Sequence, residues 1–331
     1  MASLDRVRPA TAADVAARAG VSRASVSQIL SGRISRFPEE TQQKVRKAAS
    51  ELNYSPWASG RSLVKGRSDT IVLLLSGASI GSMRLQETIE KLTKDFAGPG
   101  ANVVLRIADH DPDVTVASVL KLQPLAVVDL GAMSAKYKAK LQAHGVATVP
   151  DIDQPIRYHG MTIDVAIGDL QVGELTRNGD RQIVYAALAD TRDDTYGPGR
   201  WAALQGACQR RGLASPLRVD IPLDPDEALE QIKTLGPGQY GFAAYNDEVG
   251  AAVLGACTRA GLRVPEDASV IGVDNSEIAR LWIPRLTSVG TDMGVFIDLA
   301  IGQLRAQLDG RPLPESDAGD QMLHIAAGAS T

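Results

Sequence analysis

The 331-residue sequence predicts an α/β protein with a small helical head, a short linker and a body built on parallel sheets. Three observations predict it. Residues 12–32, AADVAARAGVSRASVSQILSG, set small and polar side chains around a single Gly-Val-Ser. Charge divides by position: the first 68 residues carry 12 Lys/Arg against 5 Asp/Glu, a net of +7, and the remainder carries 23 against 34, a net of −11. From Asp69 onward, short apolar runs alternate with helical periodicity. The length suits two or three domains. Apolar residues make up 44% and aromatics only 4%, so the cores are built mainly from Ala, Val, Leu and Ile.

Each element of the head follows from its residues. Thr11 opens the first helix, and Asp14 three residues later approximates a capping box. Val15, Ala16 and Ala19 form its apolar stripe. Gly20 takes positive φ and ends it, and Val21 packs back. Ser22 caps a second helix that buries Val26, Ile29 and Leu30 and ends at Ser31-Gly32. A third helix runs from about Pro38 to Leu52, with Val45, Ala48, Ala49 and Leu52 inward. Helix, glycine turn and helix make a helix-turn-helix pattern. A plain three-helix bundle with a solvated basic face is the alternative; the charge split and the polar second helix favour a polyanion partner.

The second helix is the face expected to meet a DNA duplex. Arg23 at its start suits guanine O6/N7, and Gln28 suits adenine N6/N7; Ala24 shares their face. Ser22, Ser25 and Ser27 are short donors for phosphate at a helix N-terminus. Arg33 and Arg36 flank the groove as further phosphate contacts.

In the body, strands are expected at 70–75, 102–107, 125–130, 147–150, 182–188, 217–222, 241–245, 269–274 and 286–290. Helices are expected at 83–96, 114–122, 136–144, 198–211, 226–235, 247–260 and 293–309. Continuous apolar strands alternating with helices imply parallel sheets covered on both faces. Cys208 and Cys257 read as buried, reduced thiols of a cytoplasmic protein. The four histidines are scattered without metal-ligand spacing, and neither metal nor cofactor is expected. No apolar run reaches the roughly 18 residues of a membrane span, and the N-terminus has no apolar signal core.

Two motifs point elsewhere. GASIG (77–81) has G-x-S-x-G form, which would make Ser79 a hydrolase nucleophile; it follows the first strand of its sheet, and no His stands at a partner position. GPGQYG (236–241) has G-x-G-x-x-G form but follows a helix and precedes a strand, the reverse of a dinucleotide site. Serine hydrolysis is a remote alternative and a dehydrogenase is unsupported.

TAADVAARAGVSRASVSQILSG, then RFPEETQQKVRKAASELNYSPWASGRSL, and AAYNDEVGAAVLGACTRAGLRVPEDASVIGVDN at 243–275 carry a resemblance over nearly the whole chain. The sequence resembles the LacI/GalR family of transcription regulators. The resemblance implies a DNA-binding head (1–56), a hinge helix and linker (57–68), and a sensor core (69–331) of two Rossmann-like lobes, like periplasmic sugar-binding proteins. The first lobe would span about 69–163 and 292–316, the second about 164–291 and 317–331. Leu63 matches the leucine that paired subunits wedge into the minor groove. Trp57 and Gly60 depart from the family's hinge, where a small polar residue and an alanine are usual. In the cleft, Arg200, Asn246 and Asp274 match effector contacts. The first lobe departs from the pattern: SGASIGSM (76–83) lacks the usual Asn-Pro-Phe, Val165 stands where Asn is usual, and Gly179-Asp180 replaces Gly-His.

The resemblance therefore implies a homodimer on a near-palindromic double-stranded operator, most simply a repressor, whose grip is set by a small-molecule effector such as a sugar. The short tail after Gly328 favours dimers over tetramers. A regulator that responds to no effector is the alternative. A solute carrier is opposed by the missing signal and the basic head.

Overall fold

The computed structural model describes residues 10–30, 34–52, 54, 70–76, 85–97, 102–179, 181–190 and 196–331. Arg33, the hinge segment with Trp57, Gly60 and Leu63, the loop with Ser79, and Asp180 lie outside the described residues. The chain divides into two compact units, Met1–Ser68 and Asp69–Thr331.

The first unit holds α1 (Ala12–Ala19), α2 (Arg23–Leu30) and α3 (Glu39–Glu51). The capping box at α1 is complete: the Asp14 N–H donates to Thr11 Oγ1 at 3.3 Å, and Thr11 N donates to Asp14 Oδ2 at 2.7 Å. Gly20 sits at φ 68°, in the left-handed region. A methyl there would meet nothing, so glycine is needed for its backbone freedom alone. Val15, Ala16, Val26, Ile29, Val45, Ala48 and Ala49 form the core, with Phe37 and Tyr54 packed at its margin. Arg18 pairs with Glu51 at 2.8 Å and links α1 to α3.

The second unit contains two main sheets. The first runs in the order β2 (Asn102–Ile107), β1 (Thr70–Leu75), β3 (Ala126–Asp129), β4 (Ala147–Val149), all parallel. It carries the helices α4 (Leu85–Ala97), α5 (Pro112–Lys121) and α6 (Ala135–Ala143) in its crossovers. A small antiparallel pair, β5 (Arg157–Tyr158) and β6 (Met161–Thr162), follows, and then α7 (Ile163–Leu175).

The second sheet is built from β7 (Gln182–Leu188), β8 (Leu217–Ile221), β9 (Tyr240–Ala244), β10 (Ala268–Val273), β11 (Thr287–Thr291) and β12 (Leu323–Ala326). Its spatial order is β12-β11-β10-β9-β7-β8. Its helices are α8 (Gly197–Arg210), α9 (Pro225–Lys233), α10 (Asp247–Arg259), the short α11 (Glu277–Leu281) and α12 (Met293–Asp309).

Three features differ from the sequence expectations. β12 pairs antiparallel to β11, so the second sheet is mixed. α7 was not anticipated: Ala166, Ile167, Gly168, Gln171, Val172 and Leu175 are all buried, so no single apolar stripe marks it. The β5–β6 pair and α11 are too short for a periodic signal.

The chain passes between the lobes three times. Buried Gln303 of α12 joins the first and the last of these passages: its Oε1 accepts from Asp151 N at 2.9 Å, and its Nε2 donates to Gln154 O at 2.6 Å and Ser316 Oγ at 2.8 Å. Cys208 and Cys257 are free and buried; burial pushes both thiols up, Cys257 to about 12. Among the described residues, no helix is long and apolar enough to cross a membrane.

Candidate functional site

In the head, α2 turns Val26 and Ile29 into the core and leaves Ser22, Arg23, Ala24, Ser27 and Gln28 exposed. Ser25 is half-buried and Arg36 is exposed. Ser22 Oγ accepts from Ser25 N at 3.1 Å, so it caps the helix, and it lies 2.9 Å from Ser25 Oγ. Arg23, Ala24 and Gln28 thus share the outward side of one two-turn helix, with Ser22 and Ser25 at its N-terminus and Ser27 in its second turn.

In the second unit, a cavity of about 390 Å³ lies between the lobes, within the range of small-molecule sites. It opens at the carboxyl ends of β3, β9 and β10, where strand order reverses in each sheet. Arg200, Asn246 and Asp274 all line it.

Arg200 projects from the first turn of α8. Its Nη1 donates to the Tyr245 carbonyl, and its guanidinium lies 4.7 Å from the Tyr245 ring centroid and 5.3 Å from that of Tyr196. The arginine is thus held between two tyrosine rings, a favourable setting for a flat cation. Its Nε is buried without a hydrogen-bond partner and stands 4.0 Å from Asp164 Oδ1. Burial opposes its charge, but the carboxylates of Asp274 and Asp164 outweigh that, and the guanidinium is held charged.

Asp274 ends β10 at φ 98° and Asn275 follows at φ 49°. Such backbone persists where its surroundings impose it. The support is a buried residue that sequence reasoning missed: Asp247. Its Oδ2 accepts from Ser276 N at 2.6 Å and its Oδ1 from Ser288 Oγ at 2.6 Å. Asp274 N also donates to Val289 O at 2.8 Å, and Asn275 N to Ser288 Oγ at 2.9 Å. Burial pushes the Asp247 carboxyl up, and the donors from Ser288 and Ser276 draw it partly back. Asn246 caps α10: its Oδ1 accepts from Val249 N at 3.0 Å, and its Nδ2 donates to Glu248. It therefore shapes the cavity wall with both ends of its amide engaged.

The first-lobe wall was not anticipated. Asp129 is buried at the end of β3; its Oδ1 accepts from Ala132 N at 2.8 Å, and its Oδ2 lies 2.9 Å from Lys138 Nζ of α6. Burial pushes this carboxyl up, and Lys138 opposes the shift. Tyr196 donates from its hydroxyl to the Leu130 carbonyl across the cleft. Gly131, at φ 80°, makes that approach possible, because a Cβ there would lie 2.2 Å from the Tyr196 oxygen.

Residues 11–56 match the model for bacterial regulatory proteins of the lacI family, and residues 172–331 match that for a periplasmic binding protein-like domain. The chain is 30% identical over 295 positions to the HTH-type transcriptional repressor PurR of Pectobacterium carotovorum, covering 85% of each. It is 28% identical to the HTH-type transcriptional regulator GntR of Pseudomonas aeruginosa, covering 96% of this chain and 94% of that one. Among solved structures it resembles the Lac repressor dimer bound to operator and the anti-inducer ONPF, with a TM-score of 0.79 at 20% identity over 98% of this chain and 99% of that one. It also resembles the regulator CelR in complex with cellobiose, with a TM-score of 0.62 at 21% identity over 97% of this chain and 100% of that one. These two likenesses establish the fold, two α/β lobes with a helical head.

Proposed function

The chain belongs to the lacI family of bacterial regulatory proteins, and from that premise we propose a cytoplasmic, homodimeric transcription regulator, acting as a repressor, that holds a near-palindromic DNA operator under the control of a small molecule bound between its lobes. The observation that carries this reading is the pairing of the family's head, residues 11–56, with a cavity of about 390 Å³ that has a half-buried, charged arginine on its wall.

Two heads sit in successive major grooves, with half-sites about one helical turn apart. Arg23, Ala24 and Gln28 read base edges. Ser22, Ser25, Ser27, Arg33 and Arg36 hold phosphates, and Leu63 enters the minor groove at the centre and opens it. The basic head and acidic body support this division, because only the head attracts a polyanion.

In the core, Arg200 and Asp274 bind the small molecule, with Asn246 shaping the wall beside them. Bonds made to both lobes at once favour one lobe arrangement, and that shift is the means of altering operator affinity. The coupling is reciprocal: operator binding changes ligand affinity by the same factor. The relatives are regulators rather than enzymes, and the reading assigns no catalytic residue.

Selection of binding sites from random and genomic DNA by the full chain tests the reading. A recovered motif with two-fold symmetry supports it. Equal recovery of all sequences contradicts it.

A further inference from the structure

We propose that Tyr196 is a latch that holds the two lobes of the second unit together by protein groups alone, so that lobe closure does not depend on a small molecule. Its bearing on DNA binding rests on the reading of the chain as an operator-binding regulator; the latch itself does not.

The three crossovers tie the lobes covalently. A fourth joint is non-covalent, and neither of its residues belongs to a crossover. Tyr196 stands at the N-terminus of α8 in the second lobe, and its hydroxyl donates to the Leu130 carbonyl in the first. Both ends of that bond are fixed. Leu130 N donates to Leu74 O of β1 at 2.9 Å, and Asp129 Oδ1 accepts from Ala132 N at 2.8 Å, so the turn after β3 presents its carbonyl in one direction. Arg200 N donates to the Tyr196 carbonyl at 2.9 Å, and the Arg200 guanidinium lies 5.3 Å from the ring centroid.

The seat for the ring is cut into the first lobe. Gly131 takes φ 80°, and the three atoms nearest to a Cβ built there all belong to the Tyr196 phenol. Any other residue at 131 would hold the phenol away from the carbonyl, besides straining the backbone. At Gly20 only the backbone freedom of glycine is needed; at Gly131 the space is needed as well, and Tyr196 fills it.

Magnitude suits a latch. One net hydrogen bond shifts a two-state balance by about fivefold. Couplings between sites are commonly about 5- to 150-fold, so a ligand in the cavity can match or override it. Because the same ring lies on Arg200, a ligand that draws the guanidinium off the ring works against the latch directly.

The test is single-molecule energy transfer on the full-length protein, dialysed free of small molecules. Dyes are placed at Ala143→Cys of α6 and Gln231→Cys of α9, exposed positions on the two lobes, while Cys208 and Cys257 are buried. Wild type is expected to be mainly in the closed, high-transfer state. Tyr196→Phe is expected to raise the ratio of open to closed molecules about fivefold, and Gly131→Ala, which unseats the ring, to raise it further. Tyr196→Phe carries the test by itself should Gly131→Ala fail to fold. A mainly open wild type, or an unchanged ratio in Tyr196→Phe, overturns the latch. Selected operator DNA is expected to move the ratio in Tyr196→Phe, by the reciprocity of coupling. No movement there overturns the control of DNA binding by the lobes, which belongs to the proposed function, and leaves the latch standing.

Discussion

The guanidinium of Arg200 lies 4.7 Å from the ring centroid of Tyr245 and donates to that residue's own carbonyl. One residue thus anchors the cation by two means, at the carboxyl end of β9 where the cavity opens. Arg200→Met removes the charge and its bonds but keeps much of the volume. Isothermal titration with a cleft ligand is expected to show a loss of about 3 kcal/mol, roughly 100-fold in affinity. Selective DNA binding by the ligand-free protein is expected to survive. Retained affinity would remove Arg200 from the site.

Tyr196, the second ring on Arg200, also reaches the first lobe through Leu130. Gly131→Ala would place a methyl 2.2 Å from the tyrosine oxygen, on a residue at positive φ. The combined clash and backbone penalty is expected to cost about 2–4 kcal/mol by chemical denaturation. Tyr196→Phe, which loses only the hydrogen bond, is expected to cost about 1 kcal/mol. Equal effects from the two changes would show that the tyrosine does not lie against Gly131.

Asp247 gives a pH signature. Because burial raises its carboxyl above the ordinary value of 3.8, the folded state holds that proton more tightly than the unfolded chain. Its contribution to stability is therefore full below about pH 4 and declines as pH rises through the folded-state value. Carboxyl-carbon NMR is expected to show Asp247 titrating above 3.8; a midpoint below it would contradict the assignment. Asp247→Asn leaves an amide facing either the Ser276 N–H or the Ser288 hydroxyl, and is expected to cost about 1–3 kcal/mol.

On the head, Gln28→Ala is expected to relax base preference at one operator position at a cost of about 1–3 kcal/mol. Arg36→Ala is expected to weaken all sequences alike and to reduce the salt slope by about one. Fluorescence anisotropy on operator and random duplexes separates them. An equal loss on both duplexes for Gln28→Ala would deny it a base-reading role.

Much of the head was legible because its signals are local. The Thr11–Asp14 box, the Gly20 turn and the inward pair Val26 and Ile29 are each read within a turn of their own helix. Most strands of the body were legible for the same reason, as continuous apolar runs such as 70–75 and 268–273. α7 was not, because it packs against the second sheet and α8 with no residue fully exposed, so no polar face sets off an apolar one.

The cleft was only half legible. Arg200, Asn246 and Asp274 lie in stretches with a family pattern, whereas Asp129 ends an ordinary apolar strand. Lys138 is one of three lysines, with Lys136 and Lys140, on the same helix. Only the fold shows which of them turns to Asp129. Lys140 goes instead to Asp113. Asp247 was hidden in the same way, since an acid in the first turn of a helix reads as a favourable partner of the helix dipole, and its grip on Ser276 and Ser288 depends on residues 29 and 41 positions away.

The most direct test of the central claim compares the full chain with residues 69–331 on a selected operator and on random DNA of the same length. The full chain is expected to bind the operator at least about 1,000-fold more tightly than random DNA at physiological salt, the low end for specific regulators, and the truncated chain to bind neither measurably. Operator binding by the truncated chain, or equal affinity of the full chain for both duplexes, would contradict the account.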